Sequence, residues 1–114
     1  MEVSPDQYLV MTLYDDNSIA KLKLADSTVV YRHKLNKVQY PRGISCHHQD
    51  GSTLNVDRKT NTLHEISPQG DWVKQVWSHP GGADKEGGLL AVSFLNDLCV
   101  CCTEKSVFLL DVIY

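Results

Sequence analysis

The densest group of side chains able to bind a metal or act as a nucleophile is the run Cys46-His47-His48. On a strand, Cys46 and His48 point to one face and His47 to the other, so Cys46 and His48 are a possible zinc-ligand pair, with His64 or a thiol of the run 98–102 completing the set. The competing interpretation is a core cysteine beside histidines at a turn. We adopt it because the sequence offers no second well-placed ligand pair. A Cys-His nucleophile would also need a pocket and a third, orienting group. We therefore predict no catalytic residue, no metal and no cofactor.

The other enzyme motifs and the cysteines give the same answer. The sequence has no G-x-S-x-G, H-E-x-x-H, P-loop or G-x-G-x-x-G. Three of the four cysteines lie in the apolar run 98–102, where Cys99 and Cys102 have the C-x2-C spacing. Residues three apart on a strand point to opposite faces, so this pair does not hold one metal. We interpret the cysteines as reduced, buried thiols in a cytoplasmic protein.

The composition indicates one small globular domain. The chain has 114 residues, of which 42% are hydrophobic and 22% charged. Eleven Lys and Arg against 14 Asp and Glu give a net charge of −3. This disfavours a globally basic nucleic-acid binder but allows a local basic patch. The sequence contains no apolar stretch of membrane-spanning length, so we expect no membrane contact.

An internal repeat is the main signal of fold. Shifting the sequence by 44 positions superposes its apolar pattern on itself. The sets that coincide are Val10, Leu54 and Leu98, then Ile19, Leu63 and Val107, and then Ser18, Thr62 and Ser106. Each copy divides into short alternating segments separated by turn residues, which is typical of antiparallel strands.

The predicted fold class is all-β, a partial β-propeller of antiparallel four-stranded blades. With the strands of one blade named a to d, the chain reads b-c-d, a-b-c-d, a-b-c, which is ten strands and about 2.6 blades. Residues 8–33 form an incomplete blade, residues 42–77 a complete one and residues 89–113 a second incomplete one. Residues 1–114 are thus a single propeller segment.

The central copy resembles an NHL repeat. The segments that carry the resemblance are Tyr40-Pro41-Arg42-Gly43-Ile44, Asp50-Gly51, Leu54-Asn55-Val56-Asp57, Asn61-Thr62-Leu63 and Ile66-Ser67-Pro68-Gln69-Gly70. The first copy has Leu13, and the third Cys101, in place of Asp57. NHL propellers resemble the C-terminal recognition modules of TRIM-type ubiquitin ligases, whose catalytic RING domain is separate. The resemblance therefore implies substrate recruitment without catalysis.

Closed propellers contain about four to eight blades, more than this segment supplies. It is either part of a longer propeller or a small protein whose copies complete one ring. Open apolar strand edges invite pairing with another chain. We therefore expect the isolated chain to be a homo-oligomer that completes a propeller ring.

The predicted topology separates charge between two rims. The b–c turns and d–a links gather on one rim, which carries seven basic residues, Lys34, Lys37, Arg42, Arg58, Lys59, Lys85 and Lys105, and five acidic ones, Asp15, Asp16, Asp84, Glu86 and Glu104. Seven minus five leaves this rim a net charge of +2. The opposite rim carries Asp26, Asp50, Asp71 and Asp97. The contact candidates on the basic rim are Tyr40, Arg42, Arg58, Lys59 and Lys105, because an aromatic ring beside an arginine anchors peptides and stacks on bases.

We expect a non-catalytic binding scaffold that recognises a protein partner through this rim. The alternative function is single-stranded RNA binding by the same basic residues. Turns that are polar for solubility alone are the competing interpretation of the charges.

Overall fold

The structure, a computed structural model, describes residues 2–3, 8–13, 17–46, 51–80, 89, 91–95 and 98–111. These residues form eleven strands in three antiparallel sheets. The strands are β1 (Glu2–Val3), β2 (Tyr8–Leu13), β3 (Ser18–Lys23), β4 (Thr28–Lys34), β5 (Pro41–Cys46), β6 (Thr53–Asp57), β7 (Thr62–Ile66), β8 (Trp72–Ser78), β9 (Ala91–Leu95), β10 (Leu98–Cys102) and β11 (Val107–Asp111). Within these ranges no helix has the length and apolar character needed to cross a membrane.

Each sheet is one meander, in the orders β1-β2-β3-β4, β5-β6-β7-β8 and β9-β10-β11. The predicted all-β blade architecture is confirmed, and β6 and β7 have the predicted bounds. The prediction of three strands in the first blade was wrong by one. β1 pairs Glu2 with Val10 and Val3 with Leu9, which makes that blade four-stranded. A two-residue strand carries no alternation, so no sequence pattern marks it.

The 44-residue repeat is visible in the backbone of the first two blades. Asn17 and Asn61 both adopt positive φ, at 54° and 55°, a conformation that asparagine tolerates better than most residues. The Asn17 carbonyl accepts the N–H of Leu35 at 2.6 Å, and the Asn61 carbonyl accepts the N–H of His79 at 2.8 Å. Both pairs are related by the same shift of 44, so the two blades begin their outgoing links in the same way.

Two apolar clusters lie between the sheets. The first joins Val10 and Ile19 of the first sheet to Ile44, Cys46 and Ile66 of the second. The second cluster packs the opposite face of the second sheet against the third, and it contains Leu54, Val56, Leu63, Leu89, Val92, Cys99 and Cys101. Because both faces of the middle sheet are covered at its centre, β6 is buried along its whole length and β7 at all but one residue.

Three of the four cysteines are packing residues in these clusters. Cys46, Cys99 and Cys101 are buried, whereas Cys102 is half-buried. Burial raises the pKa of Cys99 to about 11 and, with the neighbouring thiols, the pKa of Cys101 to about 12. A thiol with so high a pKa is protonated at neutral pH and is a poor nucleophile or metal ligand.

The third blade departs from the sequence alignment. The Thr103 N–H donates to the Ser106 carbonyl at 2.9 Å, which leaves two residues between these positions. The equivalent pair in the second blade is Asp57 and Thr62, with four residues between them. The predicted equivalence of Cys101 with Asp57 is therefore wrong, because the shorter turn moves Thr103 into that place.

One face of the third sheet is apolar and exposed. Val107 is 70% exposed, Leu109 69% and Leu98 40%. Strand alternation puts them on the face opposite Cys99, which packs against the second sheet. On the matching face of the second sheet Leu54 is fully buried by the next blade. This exposed face therefore has the chemistry of a blade-to-blade interface.

Candidate binding site on the blade rim

A buried carboxylate organises the rim between the first two blades. Asp57 ends β6 and is 1% exposed. Its Oδ2 accepts the N–H of Gln39 at 2.8 Å, and its Oδ1 accepts the N–H groups of Tyr40 at 3.1 Å, Lys59 at 3.0 Å and Thr60 at 3.4 Å. Two of these donors belong to the β4–β5 link and two to the β6–β7 turn. The carboxylate therefore joins its own turn to a link that lies 17 and 18 residues earlier in the sequence.

Backbone contacts complete the junction. The Arg58 N–H donates to the Tyr40 carbonyl at 3.0 Å, so the link and the turn are also joined directly. The link itself turns through a bond from the Val38 N–H to the Leu35 carbonyl at 3.1 Å. Leu35 and Val38 belong to the first apolar cluster and are almost fully buried. The link is thus anchored from below by apolar packing and from the side by the carboxylate.

Two adjoining depressions open on this surface. The smaller, of about 240 Å³, is lined by Tyr40, Arg58 and Lys59. The larger, of about 390 Å³, lies over the buried link and includes Lys34 and Gln39 among its lining residues. Lys59 lines both, so the two depressions adjoin at this side chain; together they are called the groove, and each has at least one further cation, Lys34 in the larger and Arg58 in the smaller.

The structure brings together four of the five predicted contact residues. Tyr40, Arg58 and Lys59 line the smaller depression, and the Arg42 guanidinium carbon lies 5.8 Å from the centroid of the Tyr40 ring. This distance is within the range of a cation–π contact. Lys105 lies in the β10–β11 turn of the third blade and does not line either depression.

Sequence reasoning missed the residues beneath and beside these cations. Asp57 was noted as part of a repeat motif but not as the anchor of the site. Asn17, Asn36 and Gln39 line the larger depression and were not candidates. Lys34 was placed on the rim by the predicted topology, and its charge was the signal that could have made it a contact candidate. Lys85 lies outside the described residues.

His64 sits behind the rim in a chain of hydrogen bonds. Trp72 Nε1 donates to His64 Nδ1 at 3.0 Å, and because an indole N–H is only a donor, the ring proton is on Nε2, which donates to Thr62 Oγ1 at 2.8 Å. Thr62 Oγ1 lies 2.7 Å from Thr60 Oγ1. Burial lowers the pKa of His64, while the Asp57 carboxylate opposes that shift. His64 is therefore neutral at pH 7.

These contacts bear on the zinc hypothesis. Both ring nitrogens of His64 already have partners, so the ring is not a ligand without losing one of them. Within the described ranges no group of three or more His, Cys, Asp and Glu side chains is placed to hold a metal. His47 and His48 lie outside those ranges.

Comparison with known proteins identifies the fold. No family model and no curated protein sequence matches the chain. Solved structures that match include a streptogramin B lyase (TM-score 0.68, 15% identity), a structural genomics protein from Bacteroides thetaiotaomicron (0.71, 14%) and U3-55K (0.71, 13%). These structures are β-propeller-like, so the three sheets are propeller blades.

The extent of the match is informative as well. The alignments cover 98%, 95% and 96% of this chain but 39%, 33% and 35% of the three structures. The chain thus spans less than two-fifths of the length of these propellers. At such low identity the likeness concerns the fold, and activity does not transfer with it.

Proposed function

We propose that the chain is a non-catalytic binding scaffold that recognises a protein partner through the rim formed by Tyr40, Arg42, Arg58 and Lys59. The observation that carries the proposal is the Asp57 carboxylate, which holds the backbone on both sides of the smaller depression. A preordered contact surface loses little conformational entropy on binding. Tyrosine and arginine are the side chains most enriched among binding hot spots.

The finer assignment is an NHL-type propeller segment that recruits substrates for a ubiquitin ligase. Support for the NHL type comes from the motif residues themselves. Tyr40 directly precedes β5, the first strand of the second blade, and Arg42 lies within β5, while Asp57 ties Tyr40 to the β6–β7 turn. These contacts give the motif residues of the second blade a structural role, because they hold the rim beside that blade.

Selection from a random peptide-display library tests the rim as a protein-binding surface. We expect the immobilised chain to enrich reproducible sequences, and synthetic copies of them to lose at least tenfold in affinity for a Tyr40→Ala, Arg58→Glu variant, since hot-spot truncations cost about 2 kcal/mol or more. The matched control is Lys23→Glu, an exposed cation at the end of β3, on the opposite rim. Enriched peptides that bind both variants equally, or no enrichment, would exclude the proposal.

The second candidate function is single-stranded RNA binding. It is favoured by the arginine beside the Tyr40 ring, since aromatic and guanidinium planes stack on bases. An RNA complex would weaken steeply with added salt because phosphate contacts release counterions. The Arg42→Glu, Arg58→Glu variant should then abolish retention of an oligouridine. If the wild-type chain does not retain oligouridine at low salt, this candidate is eliminated.

A further inference from the structure

The groove has an unusual combination of side chains. Its cations are Lys34, Lys59 and Arg58, and Lys59 stands where the two depressions meet. The larger depression also carries three carboxamides, from Asn17, Asn36 and Gln39. Among the described residues that line the groove none is acidic. A ligand here meets positive charge at intervals and amide groups that both donate and accept hydrogen bonds between them.

We propose that the ligand of this groove is a linear acidic peptide segment that carries an apolar or aromatic side chain next to its carboxylates. The inference rests on the proposed protein-binding function and specifies its partner. The carboxylates lie against Lys34 and Lys59 in the larger depression, and the apolar side chain packs on the Tyr40 ring in the smaller one. The carboxamides pair with the peptide backbone, whose N–H and C=O groups alternate as donor and acceptor.

The groove suits a peptide better than a nucleic acid. Single-stranded nucleic acids bind through several aromatic platforms placed at successive bases. Tyr40 is the one aromatic residue among those that line the two depressions in the described structure. Three carboxamides, by contrast, match the hydrogen-bonding pattern of an extended main chain. RNA is therefore the alternative that the experiment must separate.

The rigidity of the groove supports a short linear ligand. Two of the walls are the β4–β5 link and the β6–β7 turn, and Asp57 holds both by their backbone N–H groups. The floor contains Leu35 and Val38, which are 2% and 1% exposed. A groove held from below and from the side accepts an extended segment without reorganising, which favours a single mode of binding.

The peptide-display selection also tests this inference. We expect the enriched sequences to be rich in Asp and Glu around one apolar or aromatic residue. Fluorescein-labelled synthetic copies should bind a Lys34→Glu, Lys59→Glu variant at least about tenfold more weakly, because two attractive ion pairs become repulsive. They should bind the Lys23→Glu control as they bind the wild-type chain. Replacing each Glu of the peptide by Gln should cause a comparable loss.

The outcomes separate this inference from the proposal on which it rests. Neutral or basic peptides whose binding still requires Tyr40 and Arg58 would overturn the acidic ligand and leave the binding scaffold intact. Acidic peptides that bind the Lys34→Glu, Lys59→Glu variant normally would also overturn it, as would a labelled oligouridine that outcompetes the peptides. No enrichment at all would overturn both. Circular dichroism and thermal unfolding of each variant verify that it is folded.

Discussion

Replacing Asp57 tests whether one buried carboxylate holds the two walls of the groove. Its oxygens accept four backbone N–H groups from Gln39, Tyr40, Lys59 and Thr60. A hydrogen bond to a charged group contributes about 1.5–3 kcal/mol, so simple addition gives roughly 6–12 kcal/mol. A sum of that size approaches the whole stability of a small domain, which is about 5–15 kcal/mol. The measured effect must therefore be smaller than the sum.

Two features of the site make the loss of stability smaller than this sum. The four donors share one acceptor, so their contributions are not additive. Gln39 and Lys59 are exposed, and their N–H groups regain water when the carboxylate is removed. We expect Asp57→Ala to lower the free energy of unfolding by about 3–5 kcal/mol, as for the loss of one partner in a buried charged pair. Asp57→Asn keeps one oxygen but turns an N–H toward some of the donors, and it should cost about 2–3 kcal/mol.

Urea denaturation followed by tryptophan fluorescence measures the loss. With a slope of about 1–3 kcal/mol per molar urea, the midpoint of Asp57→Ala should fall by about 2 M. Hydrogen exchange of the Tyr40 and Thr60 amides should accelerate more than that of amides within β10. Thr103→Ala is the matched control, because Thr103 Oγ1 accepts the N–H groups of Lys105 and Ser106 at the same place in the third blade. Because the Thr103 hydroxyl is a neutral acceptor of two hydrogen bonds, its removal should lower the free energy of unfolding by about 1–2 kcal/mol.

The reasoning fails if Asp57→Ala unfolds within about 1 kcal/mol of the wild-type chain, which is the contribution of one ordinary hydrogen bond. It also fails if the four amides exchange as slowly in the variant as in the wild type. A loss equal to that of Thr103→Ala would show that the links between segments add nothing to the local turn.

Three further predictions concern the contact of Gly70 with the first blade, the buried His64 and the exposed apolar face of the third sheet. Gly70→Ala should lower the free energy of unfolding by about 2–4 kcal/mol, because φ is +89° and an added Cβ would lie 2.5 Å from the Tyr31 ring. Gly51→Ala has a similar φ of +77° but its nearest atom is 3.9 Å away, so it should lower the free energy of unfolding by about 1–2 kcal/mol. Burial lowers the pKa of His64 below its ordinary 6.5, so the unfolded chain binds a proton at this ring more readily than the folded chain does. The free energy of unfolding should therefore fall as the pH drops below 6.5. The fall should be less steep in His64→Gln. We propose that the exposed face of the third sheet joins copies of the chain into a ring, so Leu109→Glu should reduce self-association measured by light scattering. Val73→Glu, on the edge strand β8 of the second sheet, should leave self-association unchanged.

Each of these has a contrary result. Equal losses at the two glycines would remove the clash from the explanation, leaving backbone strain alone. An unchanged pH slope in His64→Gln would assign the titration to other groups. A wild-type chain that is monomeric at all concentrations would exclude the assembly of copies into a ring.

The repeat made most of the fold predictable. Strands of the second blade that alternate fully, such as Thr53–Asp57, end where polar turn residues begin, and the structure has them at those bounds. β1 was missed because two residues carry no period. The third blade was misaligned because its turn is two residues shorter, and an ungapped shift of 44 cannot register a deletion. Hydrogen bonding at Thr103, not sequence similarity, identifies the equivalent position.

The site was predictable only on its outer surface. Topology alone places links and b–c turns on one rim, so charge and aromatic character were enough to select Tyr40, Arg58 and Lys59. The role of Asp57 as their anchor could not be predicted, because its partners are backbone N–H groups. Nearly every residue has such a group, and no side-chain pattern marks the ones that Asp57 binds. The carboxamides of the larger depression were missed for a related reason. Amides resemble ordinary turn residues until a neighbouring segment makes them the wall of a groove.

The position of Asp57 also accounts for the location of the groove between the first two blades. The first blade has Leu13 at this position and the third has Thr103, so neither offers two charged acceptor oxygens to its neighbouring link. The following link is held differently: Asn61 Oδ1 accepts the N–H of Leu89 at 2.9 Å. The Asn61 backbone carbonyl also accepts the N–H of His79 at 2.8 Å, so neutral oxygens contact this link where a carboxylate contacts the link between the first two blades. A partner that requires a rim held by a carboxylate would therefore meet it at the second blade.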